Sequence, residues 1–89
     1  MPTIRFTQNI QRHVPCPDMH LEADTVREAL DRYFEHHPKA RGYVLDDQSM
    51  LRKHMAIFIN SEPLLDRENL DQPLDANSKV DVIQALSGG

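Results

Sequence analysis

The stretch KVDVIQALSGG (79–89) opens on alternating side chains and runs into two glycines at positions 88 and 89. Val80 and Val82 would face a core and Asp81 and Ile83 the other side, the period-two pattern of a half-buried strand. Paired glycines usually mark a turn between elements, because glycine has no side chain to pack and loses the most conformational entropy on ordering. No further element follows these two in the 89 residues. The strand and its glycine end therefore have to be explained together.

A strand this apolar needs a partner, and the other end of the sequence supplies one. In TIRFT (3–7), Ile4 and Phe6 share one face and Thr3, Arg5 and Thr7 the other. QNIQRHVPCPD (8–18) holds two prolines and is expected to be irregular, and MHLEA (19–23) offers a second short strand. DTVREALDRYFEHHP (24–38) carries the clearest helix. Thr25 and Glu28 form a capping box, and Val26, Ala29, Leu30 and Tyr33 make one apolar stripe. Pro38 is expected to stop this helix near His36 or His37.

Beyond a loop with Gly42, YVL (43–45) reads as a short strand and DDQS (46–49) as a turn. HMAIFIN (54–60) alternates strongly, with Met55, Ile57 and Ile59 opposite Ala56 and Phe58. SEP (61–63) turns the chain, Leu64 and Leu65 suggest an edge, and DRENLDQPLDANS (66–78) suggests a helical turn and a loop. First and last strands lying parallel at the sheet centre, flanked by hairpins and covered by one long helix, make an α+β domain of β-grasp layout. The 89 residues are expected to form that single domain, with 85–89 as a flexible C-terminal tail.

Composition narrows the function. The formal net charge is −4 with ten Lys and Arg dispersed among acids, against a nucleic-acid binder and in favour of a protein partner with a basic surface. No apolar run approaches the ~20 residues of a membrane span, and MPTIRFTQ lacks the apolar stretch of a signal peptide. A cytoplasmic location without membrane association is expected. The lone Cys16 allows no internal disulfide, and it lies between prolines with no activating partner in sequence, which suggests a bystander thiol. His13, His20, His36, His37 and His54 lack the recurrent short spacings of a zinc site, so no metal is expected. Phe58 and Ile83 face away from the helix on neighbouring strands and would form a partner-docking patch. No nucleophile–base–acid set or phosphate-binding glycine loop occurs, so the chain is not expected to act as an enzyme alone.

TIRF at the start, LEADTVREAL as strand into helix, AIFINSEPL as strand and turn, and VIQALSGG at the end resemble the small MoaD/ThiS-type sulfur carriers, which are ubiquitin-like β-grasp proteins. LRKHMAIFINSE (51–62) is most similar to the carrier of protein-bound cysteine biosynthesis, and the loop before this strand is longer than in thiamine-type carriers. Ser87 stands where many members have alanine, and Leu86 where valine is common.

The resemblance implies that an E1-like adenylating enzyme, using ATP and magnesium, activates the carboxylate of Gly89. A sulfur donor then displaces AMP to leave a thiocarboxylate, whose sulfur passes to a biosynthetic acceptor in a pathway of cysteine, molybdopterin or thiamine type. Implied partners are that enzyme, a sulfur-accepting synthase and a metalloprotease that processes the carrier; the carrier binds no cofactor itself. Leu86, Ser87 and Gly88 would form the arm that enters the partner's channel. The five residues 85–89 reach ~17 Å when extended, and glycines without Cβ let channel walls close in. The same activated glycine could instead be joined to lysines, as in a ubiquitin-like modifier, or could serve as the small subunit of molybdopterin synthase.

Overall fold

The computed structural model describes residues 1–84. The expected arm, Leu86 to Gly89 with Ala85, lies outside the described residues. Five strands form one mixed sheet: β1 (Thr3–Phe6), β2 (Met19–His20), β3 (Met55–Ile59), β4 (Glu62–Pro63) and β5 (Lys79–Gln84), in spatial order β2-β1-β5-β3-β4. β1 and β5 run parallel at the centre, with Ile4 opposite Val80 and Phe6 opposite Val82. β2 and β3 flank them antiparallel, and β4 closes the far edge. This is the β-grasp expected from the two chain ends.

Among the described residues three helices accompany the sheet rather than one: α1 (Gln8–Gln11), α2 (Val26–His36) and α3 (Pro38–Val44). α2 is the long helix. Thr25 caps it by accepting from the Glu28 amide at 3.2 Å, while the Glu28 carboxylate pairs with Arg32 at 3.5 Å. Its buried residues are Val26, Ala29, Leu30, Tyr33 and Phe34, the predicted stripe and one more. They pack on the inward residues of the sheet, Ile4, Phe6, Ile57, Ile59, Val80 and Val82, all buried.

Pro38 does end α2, but it also starts α3, and the stretch expected to be a loop and the strand 43–45 is helical through Val44. A proline at the first helical position surrenders an amide that would have no partner anyway. Of the predicted strand 43–45, only Leu45 bridges another of the described residues, Leu51. α1 occupies the start of the segment expected to be irregular; its prolines, Pro15 and Pro17, come after the helix and do not interrupt it. The edge lies at 62–63 rather than 64–65, since Leu64 is buried and Leu65 is 88% exposed. Asn60 and Ser61 turn β3 into β4 with φ of 51° and 72°, values that suit a two-residue hairpin and that Asn tolerates well.

Arg27 ties α2 to two loops. Its guanidinium donates to the carbonyls of Ser49, Glu68 and Asn69. Arg67 similarly donates to the carbonyls of Arg52 and Met55, holding the approach to β3. Guanidinium donors suit this task because their planar fork reaches several acceptors at once.

Candidate docking face and C-terminal site

The sheet face turned away from the helices collects the outward residues of the central strands. Phe58 lies opposite Asp81, and Ile83 lies opposite Ala56, so Phe58 and Ile83 are diagonal neighbours on one face. Both are half-buried and line an open surface groove of about 630 Å³. Arg5, Gln8, Asp18 and Ser61 line it as well. In its lining Arg5 clasps Asp81 through two hydrogen bonds of 2.6 and 2.9 Å. That fork-on-fork geometry satisfies both charges within the face. Thr7 Oγ1, at the same groove, is buried and has no hydrogen-bond partner among the described residues.

β5 delivers the chain to the segment of interest. Gln84, its last residue, is opposite Met55. The proposed arm residues Leu86, Ser87, Gly88 and Gly89 follow within five positions and lie outside the described residues. The structure thus brings Phe58 and Ile83 together on the strands that lead toward the C-terminal segment.

Cys16 is 2% exposed in the loop between α1 and β2. Burial, with Asp18 nearby, pushes its thiol pKa up, which disfavours the reactive thiolate. Tyr33 lies under the same loop and donates to the Pro17 carbonyl at 2.7 Å; its pKa is raised too, chiefly by burial. Among the described residues no three His, Cys, Asp or Glu side chains converge as a metal site would require. Among the same residues no helix is long and apolar enough to cross a membrane.

Sheet order, parallel central pair and covering helix define a ubiquitin-like β-grasp domain with its last strand opening onto the C-terminal segment. The ThiS family model matches residues 11–89, and the chain belongs to that family, the ubiquitin-like sulfur carriers that its sequence resembles. The fold is shared with SAMP1, a small archaeal modifier protein from Haloferax volcanii, at 22% identity and a TM-score of 0.77 over 99% of this chain and 98% of that one. It is likewise shared with the BexX/CysO complex structure from Amycolatopsis orientalis, at 16% identity and a TM-score of 0.83 over 100% of both chains. Urm1 from Trypanosoma brucei has a TM-score of 0.70 at 20% identity, over 99% of this chain and 94% of that one. No curated protein sequence matches the chain significantly.

Proposed function

We propose that this protein carries sulfur as a thiocarboxylate on Gly89. The observation that carries the proposal is the family match, which runs to Gly89 itself. An E1-like partner adenylates the Gly89 carboxylate with ATP and magnesium, and sulfur displaces AMP. The acyl carbon needs this activation because a free carboxylate is a poor electrophile. The thiocarboxylate sulfur, a soft nucleophile, then displaces the leaving group of an activated substrate carbon held by a synthase. Cleavage of the resulting bond to the Gly89 acyl carbon leaves the sulfur on the substrate and returns the free carboxylate. This chain's own residues supply the acyl terminus and the docking face; the general acids and bases belong to the partners.

Phe58 and Ile83 form the apolar part of that docking face, and Leu86, Ser87 and Gly88 the arm that enters the partner. Cysteine biosynthesis is the favoured pathway, supported by the similarity of residues 51–62 to its carrier and by a fold shared with the BexX/CysO complex structure. A processing metalloprotease would then act after transfer. The site of action is the cytoplasm.

Incubation with each E1-like adenylating enzyme of the same genome, ATP and a sulfide source tests the proposal by mass spectrometry. The expected product is heavier by the difference between one sulfur and one oxygen. An unchanged mass with every such enzyme of the same genome refutes it.

A second function, conjugation through Gly89 to lysines of other proteins, is supported by a fold shared with a protein named as a modifier. An activated acyl group can pass to an amine as well as to sulfur. Tagged protein in lysate would then show heavier ladders that disappear on deletion of Gly89.

A further inference from the structure

Charge is sorted along the β5 axis, although the sequence mixes acids and bases throughout. Gln84 and Met55 pair at one end of the sheet, and Thr3 and Lys79 at the other. Arg52, Lys53 and His54 immediately precede Met55 and are exposed, so they sit beside the point where β5 stops.

α2 ends at the same place. Tyr33 packs on Phe6 with ring centroids 4.8 Å apart, and Phe6 is opposite Val82. One turn further on, His36, His37 and Lys39 meet Val14 and Pro15 around a small surface pocket. Arg12 and His13 precede those two residues and are exposed. No Asp or Glu occurs in 12–17, 36–45 or 48–55, stretches that supply this end, although Asp46 and Asp47 fall between the last two. Asp18, Glu35, Asp46 and Asp47 border it, and Asp46 lies near enough to Arg52 and Arg41 for their charges to help the Met50 amide hold its carboxyl below the ordinary range. Among the described residues the ion pairs are Arg5–Asp81 and Arg32–Glu28, so none of these cations is neutralised by a carboxylate in contact.

The opposite end carries more acids than bases, its cations being Lys79 and the Met1 ammonium. Glu22 and Asp24 lie beside Leu74 and Asp75, and Glu62 pairs with Ile59 where β3 ends. The domain is therefore polar in charge, with its basic pole at the end from which residues 85–89 continue.

We propose that this basic pole is a collar that docks on carboxylates around the mouth of a partner's active-site channel, and so presents the C-terminal arm first. The inference rests on the proposed function for the identity of the partner. A net charge of −4 would by itself favour a basic partner surface; the local sorting points to an acidic one at the channel mouth. Such a field acts before contact. It turns the incoming domain within about a Debye length, ~8 Å at physiological salt, and raises the on-rate more than it slows dissociation.

The test compares Lys39→Glu/Lys53→Glu with a control at the other pole, Glu22→Gln/Glu62→Gln. None of these four side chains makes a hydrogen bond or ion pair among the described residues. Stopped-flow association with the adenylating enzyme is measured across a salt series, beside thermal melting. For the lysine variant the on-rate at low salt falls by roughly tenfold or more and its salt dependence flattens, with melting unchanged. The control keeps the wild-type on-rate within a small factor. An unchanged on-rate and salt slope in the lysine variant overturns the collar.

A second measurement needs no enzyme. A hexaglutamate peptide titrated into labelled full-length protein shifts the amides of 12–13, 36–39 and 52–54 first. Shifts elsewhere, or none, overturn the collar. A wild-type protein that gains no sulfur overturns the proposed function instead, and the peptide titration still decides the collar.

Discussion

Ile57 and Phe58 are adjacent in β3 and point to opposite faces, so truncating them has opposite consequences. Ile57 is 1% exposed among Ile4, Val80 and Val82. Ile57→Ala leaves a cavity and costs ~2–5 kcal/mol of stability, read as a lower denaturation midpoint with an unchanged slope. Phe58→Ser with Ile83→Ser removes only outward side chains. The double variant melts close to wild type and binds the adenylating enzyme more weakly, by ~2 kcal/mol or more for each residue if both are hot spots. A double variant that melts far below wild type would show that the two side chains support the core. Cys16 gives a third expectation at this scale. With its thiol buried and its pKa raised, it reacts with a thiol reagent only as fast as the protein opens, and denaturant exposes it at once.

Elements were legible where one periodicity governs them and less so where tertiary contacts decide. α2 followed from its cap and stripe, and β1, β3 and β5 from alternation. α3 did not, because PKARGYV carries a proline and a glycine that argue locally against a helix. It forms because Ala40 and Val44 reach the core and Pro38 occupies the position that needs no amide donor. The loops after it are organised by acceptors that no short motif displays. Arg27 holds 49, 68 and 69 through their carbonyls. Arg27→Ala strands these groups at a cost of ~1–3 kcal/mol, with faster hydrogen exchange in 46–51 and 66–70 as the local signature.

The aspartates of those loops add a pH dependence. Asp46 accepts from the Met50 and Gln48 amides, and Asp66 from Asn69 and Glu68; these bonds hold both carboxyls below their ordinary range. A depressed folded pKa contributes stability that is present above the unfolded value, ~3.9 for Asp, and is lost as pH falls through the folded one. Acid titration followed by exchange should therefore loosen these two turns below that range, and Asp46→Asn should remove the share that belongs to the first.

At the scale of the whole molecule, structure and chemistry are assigned to different parts of the chain. Among the described residues the buried hydrophobic cluster runs from Ile4 to Val82. Of the candidate site, the sequence displayed the glycine end and the outward pair Phe58/Ile83, since composition and alternation are local properties. It did not display the sorting of charge, because that depends on which loops the topology gathers at one end. If the core is self-sufficient, a chain ending at Gln84 should fold and melt within a few degrees of wild type, ~4–8 °C being the shift that 1 kcal/mol produces in a domain of this size. The same chain should gain no sulfur from the adenylating enzyme and ATP, yet should still compete with wild type for that enzyme through Phe58, Ile83 and the basic pole. Competition measured beside melting separates the two assignments. Loss of competition with an intact fold would move the binding determinant into residues 85–89 and leave the sheet face without a docking role.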